Sequence, residues 1–368
     1  MEEKRGILTI MLSVTGSIAS YQQAGSYPRF LARLRTYADR FESVHVCTFD
    51  TRDYTADWGL ANAAHHPMPR LPATSVAYHL LSPLIHRRAL RHTSVIRAFN
   101  ITGALPALIL RTFSGAPVYV SYGYPLPKFV LFESGQLKYL LYRLVEEIAL
   151  RASDGIIVAT VAQQQELAAR YGSDKITWIP NSVDTDMFRP DIAPRSDYLL
   201  YVGRLTAQKN LRTLLRSLAE ADADRPVMLV GQGEEEAPLR ELACKLGVAA
   251  RFAGVIPHDH LPPVYASAWA FVLPSLFEGM PKALLEAMSC GLACLGSDVV
   301  GIRELVADGE TGLLAPPTVD GLAMGLCRLA DSSLRASLGE KARRHVVDSF
   351  SSAQVLEREI ALLQAAQS

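Results

Sequence analysis

Short apolar runs alternate along the chain with stretches of helical period. Runs at residues 6–14, 44–49, 95–100, 117–121, 155–159 and 175–179 have the length of buried strands. Between them Phe30, Leu31, Leu34, Tyr37, Ala38 and Phe41 recur at helical spacing. Ser26 suits the N-cap of that helix and Pro28 its first turn. Residues 78–90, 136–152 and 164–171 also read as helices, the second with an apolar stripe. Residues 15–25 read as a Gly/Ser/Thr/Gln loop, and His65-His66-Pro67 as a surface loop. A second series of strands is expected at 198–202, 226–230, 251–252, 268–273, 293–296 and 312–315, with helices at 239–246 and 282–288. Val355, Leu356, Ile360 and Leu363 stripe a helical tail. Such alternation favours parallel sheets covered on both faces. The opening strand–loop–helix–strand is a Rossmann-type unit. The two series join near residue 190, with a linker over 190–196.

Composition narrows the functional classes. The 368 residues are 49% hydrophobic and 20% charged, which suits a globular chain of two or three domains. A formal net charge of zero gives no global bias toward nucleic acid. Cys47, Cys244, Cys290, Cys294 and Cys327 form no C-x-x-C pair, so neither a disulfide frame nor a zinc site is suggested. The Met-Glu-Glu-Lys-Arg start lacks a signal-peptide core, and no apolar run nears membrane-spanning length. The expected location is the cytoplasm. Charge is uneven, however. Residues 1–190 carry 20 Lys and Arg against 15 Asp and Glu, and the rest 17 against 22. Between Asp57 and Glu133 there is no acid, but Arg70, Arg87, Arg88, Arg91, Arg97, Arg111 and Lys128 stand there. That window is either a solvated face or a surface for an anionic acceptor or an anionic membrane at its inner face.

Candidate chemistry concentrates in residues 274–291, P-S-L-F-E-G-M-P-K-A-L-L-E-A-M-S-C-G. A strand runs into a glycine turn at Gly279, then a helix opening at Pro281 and Lys282. A helix N-terminus there is a ready anion site. Glu278 and Glu286 flank it, and acids beside an anion site suit sugar hydroxyls attached to the anion. Two plainer readings stand beside this one. Ser275-x-x-Glu278 also fits a capping box, and Glu286 also fits a solvated helix position. Upstream, G-R-L-T-A-Q-K-N at residues 203–210 follows a strand. Arg204 supplies a bidentate fork and Lys209 a point charge for a diphosphate. Gly231-Gln232-Gly233 ends another strand, and by itself is weak evidence for a nucleotide. Asp184-Thr185-Asp186 spells D-x-D but follows no strand, and reads as part of a connecting segment.

The 274–291 string resembles the E-x7-E motif of retaining glycosyltransferases of the family-4 type. The resemblance implies a GT-B fold: two Rossmann-like α/β domains whose parallel sheets face across a cleft. The implied domains are 1–190 on the acceptor side, 191–350 for the donor, and a C-terminal helix over 351–368 that crosses back. Glu278 would contact the donor sugar and Glu286 the ribose. Arg204 and Lys209 match the family's diphosphate cations. Gly25, Gly231, Ile256, Gly279, Met280, Pro281 and Lys282 fall at its donor-binding positions. Residues 179–190, I-P-N-S-V-D-T-D-M-F-R-P, resemble the segment that ends its first domain. Arg97, Asn100 and Tyr122 fall at strand ends on the acceptor side, Tyr122 where many members place a His.

The implied activity moves a hexose from a nucleotide-diphosphate sugar to an acceptor hydroxyl, on a lipid-linked or other glycan precursor. Arg204, Lys209 and Glu278 are the expected catalytic residues. No cofactor or metal is expected, and no nucleic-acid partner. Two alternatives remain at this point: a non-catalytic nucleotide-sugar-binding subunit and a GT-B nucleotide-sugar epimerase.

Overall fold

The central runs of each series become strands buried on both faces, as parallel sheets under helices require. A computed structural model describes residues 6–12, 17–69, 75–123, 136–191, 196–221 and 225–367, with residues 75–79 and 136–138 described in backbone only. The chain divides into two units, Met1–Ile179 with Leu356–Ser368, and Pro180–Val355.

The first unit runs β1 (Ile7–Met11), α1 (Ile18–Gln23), α2 (Tyr27–Arg40), β2 (Ser43–Cys47), α3 (Thr55–Trp58), β3 (Ala63–His66), α4 (Ser75–Ile85), α5 (Arg87–Leu90), β4 (Val95–Ala98), α6 (Ile101–Ser114), β5 (Val118–Tyr122), α7 (Gln136–Ala152), β6 (Gly155–Val158), α8 (Val161–Tyr171) and β7 (Ile176–Trp178). Its parallel sheet has the order β3-β2-β1-β4-β5-β6-β7. Neighbouring residues Ile96 and Val95 point into different cores. One core lies under α6, α7 and α8, through Leu110, Leu150 and Leu167. The other lies under α2 and α3, through Tyr37 and Trp58, and is closed by Ile360 and Leu363 of the C-terminal helix.

The second unit runs β8 (Leu199–Val202), α9 (Leu211–Glu220), β9 (Val227–Val230), α10 (Glu236–Leu246), β10 (Ala250–Gly254), α11 (Leu261–Ser267), β11 (Ala270–Leu273), α12 (Lys282–Ser289), β12 (Cys294–Ser297), α13 (Val300–Arg303), β13 (Leu313–Ala315), α14 (Val319–Arg328) and α15 (Ser332–Phe350). α16 (Ser352–Ala365) then leads into the first unit. The second sheet is also parallel, ordered β10-β9-β8-β11-β12-β13. Strand order reverses between β8 and β11. Ligands of such sheets bind in the crevice that opens at that point, outside the strands' carboxyl ends.

Three expectations are corrected. The 15–25 stretch is not all loop: α1 forms there, because Ser17 and Ser20 make a reciprocal capping box and Asp50 accepts the amides of Ile18 and Ala19. His65 and His66 are not a surface loop but the buried end of β3. His65 Nε2 meets Thr48 Oγ1 at 2.7 Å, and His66 Nε2 meets His45 Nδ1 at 2.8 Å. An imidazole with partners fits an interior that rejects it alone. The unit boundary falls at Ile179/Pro180 rather than near 190. Val183 exchanges backbone hydrogen bonds with Phe350 and Ser352, and Arg343 holds the carbonyls of Thr185 and Phe188 at 2.9 Å. Residues 180–190 are thereby built into the second unit. Residues 192–195 of the expected linker, like Arg70 and Lys128, lie outside the described residues.

Candidate active site

The loops that leave β8 and β11 at the reversal are tied together. Leu276 donates its amide to the Gln208 carbonyl at 2.9 Å, and Gln208 Nε2 returns a bond to the Phe277 carbonyl at 2.7 Å. Asn210, held in the left-handed region at φ 57°, donates from Nδ2 to the Pro274 and Pro317 carbonyls. The arginine–lysine loop and the glutamate loop thus form one rim.

Two glycines let neighbouring loops close on that rim. A Cβ on Gly231, at φ 131°, would stand 1.9 Å from the Gly203 carbonyl oxygen. A Cβ on Gly301 would stand 1.7 Å from the Gly279 carbonyl oxygen. Side chains at either place would push the rim apart.

Lys209 Nζ lies 2.5 Å from Glu278 Oε1, and Ser275 Oγ donates to the same oxygen at 2.7 Å. The Glu278 side chain is 1% exposed. Ser275 and Glu278 therefore do not form the capping box. α12 starts later, at Lys282, with Pro281 as its N-cap and no side chain capping it. Its first turn has the amide polarity that binds anions. Met280 is fixed by Asn181, whose Nδ2 donates to the Met280 carbonyl at 2.7 Å. Arg204 is exposed in the same rim, and its carbonyl accepts the buried Tyr201 hydroxyl at 2.7 Å. Burial raises that phenol well above its ordinary value.

Glu286 is not a solvated helix residue. It is 5% exposed. Its Oε2 accepts the Tyr265 hydroxyl at 2.9 Å and its Oε1 meets His258 Nε2 at 3.1 Å. The His258 ring packs edge-on against Phe188. Ile256 lies in the loop that leads from β10 into His258. The structure thus gathers Arg204, Lys209, Gly231, Ile256, Glu278, Gly279, Met280, Pro281, Lys282 and Glu286 around the carboxyl edge of one sheet.

Comparison with known proteins gives the family. The family described as "Glycosyl transferases group 1" matches residues 182–345, and "Glycosyltransferase Family 4" matches residues 28–187. The chain belongs to glycosyltransferase family 4. Among its relatives is a D-inositol 3-phosphate glycosyltransferase of Acidothermus cellulolyticus. The two are 32% identical over 55% of this chain and 51% of the relative. An alpha-maltose-1-phosphate synthase of Mycobacterium tuberculosis is 27% identical over 80% of this chain and 85% of the relative. The match spans about half of the first of these. Sucrose-phosphate synthase of Thermosynechococcus elongatus superposes with a TM-score of 0.76 over 98% of this chain and 99% of that one, at 20% identity. HepE of Anabaena, solved with UDP, gives 0.76 over 98% of this chain and 100% of that one, at 18% identity. Both show the GT-B fold class for this family-4 chain.

The expected acceptor-side residues Arg97, Asn100 and Tyr122 all lie in the first unit. Arg97 is 2% exposed and is engaged inside the first unit, donating to Glu359 Oε1, the Ala98 carbonyl and Ser121 Oγ, each at 2.6 Å. Asn100 caps α6 through the Gly103 amide. Tyr122 is packed in the core under α6–α8. Burial, and then nearby Glu146, raise its phenol far above the usual range. Gly25 turns the chain between α1 and α2 at φ 66°, one helix beyond β1. In the D-x-D string, Asp184 Oδ1 accepts the amides of Asp186 and Met187 and so closes a local turn. Among the described residues, no three of His, Cys, Asp and Glu are arranged to hold a metal.

Asn181, His258 and Tyr265 were missed as site residues. The P-N-S-V-D string pointed at Asn181. Nothing local pointed at Tyr265, which reads as an apolar helix position.

Proposed function

We propose that this chain transfers a hexose from a nucleoside-diphosphate sugar to an acceptor hydroxyl with retention at the anomeric carbon. One observation carries the reading: the tied loops after β8 and β11 bring Arg204, Lys209, the α12 N-terminus and two fixed glutamates to one rim. HepE was solved with UDP-glucose as well as with UDP, which makes that donor the first probe.

As the bond between the anomeric carbon and the phosphate oxygen breaks, charge grows on the leaving diphosphate. Arg204, Lys209 and the α12 amides stabilise it, which is electrostatic catalysis. Neither glutamate is placed as a nucleophile, because Lys209 and Ser275 hold one and His258 and Tyr265 the other. The acceptor oxygen therefore attacks from the face the diphosphate leaves, and its proton passes to the departing phosphate oxygen. Glu286 holds ribose hydroxyls and Glu278 orients Lys209 and the sugar. Two cations and a helix N-terminus supply the positive charge a divalent ion would otherwise bring. The acceptor we infer is an anionic, lipid-linked glycan precursor.

The test is release of UDP from UDP-glucose by the purified chain with glycan-lipid acceptors, beside calorimetry of UDP binding. Glu286→Gln should weaken UDP and UDP-glucose alike. Glu278→Gln should depress transfer more than UDP binding. UDP bound without any transfer, across a panel of donors and acceptors, would favour the non-catalytic subunit instead.

A further inference from the structure

Helices α4, α6 and α7 pack side by side over one face of the first sheet. Their outward side is unlike the rest of that unit. Among the described residues, eight large apolar side chains of the first unit are exposed, and seven of them stand on α4 and α7. On α4 these are Leu81, Leu84 and Ile85, one helical face by spacing. On α7 they are Leu140, Leu141, Leu144 and Ile148, again one face. The opposite layer, α2 and α16, exposes none among the described residues. Burial against the sheet explains neither ridge, since both point away from it.

The charge of the same layer is one-sided. Residues 75–93, 101–114 and 136–152 contain seven Lys and Arg and two acids, Glu146 and Glu147. Arg87, Arg88 and Arg91 are exposed directly after the α4 ridge, and Arg143 stands exposed on α7. Glu147 is paired with Arg151 and Arg170. Burial raises the Glu146 carboxyl to about 7, so near neutral pH it carries only part of its negative charge.

We propose that the α4–α6–α7 layer is a docking face for an anionic lipid bilayer, with the two leucine ridges dipping among the headgroups and the arginines meeting lipid phosphates. Apolar ridges beside basic side chains are what an interfacial helix needs. Arginine stems can lie along apolar surface while their heads reach phosphate. A second copy of this chain is the poorer occupant. A two-fold contact would set this basic face against itself. The proposal deepens the transferase reading, since it places a lipid-linked acceptor where the protein already sits. It does not need that reading to be true.

The experiment is co-sedimentation of the full chain, without donor, with vesicles of phosphatidylglycerol or of phosphatidylcholine alone. Binding to phosphatidylglycerol vesicles at low salt is expected, weakening as salt rises, with little binding to phosphatidylcholine. Changing Arg87, Arg88 and Arg91 together to Glu should weaken it roughly a hundredfold. Leu140→Ser with Leu144→Ser should weaken it about tenfold. An unchanged urea midpoint and unchanged UDP affinity in both variants would show that folding is intact. Wild-type chain that ignores phosphatidylglycerol vesicles at low salt overturns the proposal, as does binding that neither variant weakens. Light scattering that shows a dimer split by the leucine pair also overturns it, and makes the face a contact between copies. Vesicle binding without sugar transfer would overturn the transferase reading and leave this one standing.

Discussion

The two units share one architecture and use its carboxyl edge in opposite ways. In the second unit the edge at the strand reversal carries Arg204, Lys209, the α12 N-terminus and Glu286. In the first unit the matching polar groups are engaged within the unit. Asp50 covers the α1 N-terminus, Asn100 caps α6, and Arg97 faces Glu359. Fold alone therefore does not say which edge binds a ligand. One difference is the helix that opens there: Asp50 and Asn100 close the helix N-termini of the first unit, whereas Pro281 gives α12 no side-chain cap.

The largest test of this contrast is Glu359→Gln. Glu359 accepts from Tyr37 and Arg97 and pairs with Arg33, all inside the first unit. Removing its charge leaves two arginines without their anion, and the cost expected is about 3–5 kcal/mol. Urea unfolding should shift by that amount while UDP affinity of the folded chain stays unchanged. Next come Lys209→Ala and Arg204→Ala. Each should weaken UDP about 10–100-fold by calorimetry. Lys209→Ala should also lower stability, because it takes the Lys209 cation away from the buried Glu278 carboxylate.

Acid should separate the units more gently. Burial lowers His45, His65, His66 and His86, and the neighbouring histidines help bring His66 to about 3. Each is favoured neutral in the folded state. Their contribution is complete above their ordinary value of 6.5 and is lost as pH falls below it, by about 1.4 kcal/mol per pH unit for a fully shifted group. Burial alone would raise Glu359, but Arg33 and Arg97 outweigh it and hold the carboxyl at about 2. Its contribution is lost only below about 4.5. Hydrogen exchange followed by mass spectrometry should show the β2–β3 region opening between pH 6.5 and 4, before the loops around Glu278. The smallest effect expected is that of EDTA or of Asp184→Asn, which should leave transfer within about twofold, since asparagine keeps the oxygen that closes the turn. Loss on chelation, restored by manganese, would sink the cation-based mechanism.

Much of the second unit was legible because its signals are local. The strand, glycine turn and helix around Glu278 lie within twenty-odd residues, and their order is written in apolar runs, Gly279 and Pro281. The pairings were not legible. Lys209 meets Glu278 from 69 residues away, and Arg97 meets Glu359 from 262 away. Periodicity reports which face a residue occupies, not which distant partner it finds there. The histidines failed for a related reason. His65 and His66 read as polar, yet hydrogen bonds to Thr48 and His45 make them interior residues.

The late arrival of Glu359 has a consequence during synthesis. A ribosome releases Arg33 and Arg97 more than two hundred residues before their shared anion. The first unit cannot complete its interior until α16 emerges, whereas the second, whose ends meet where Val183 bridges Ser351, is whole by then. The half of the chain made first is the half that finishes last, and a nascent chain stalled before residue 356 would carry a finished second unit and an unfinished first.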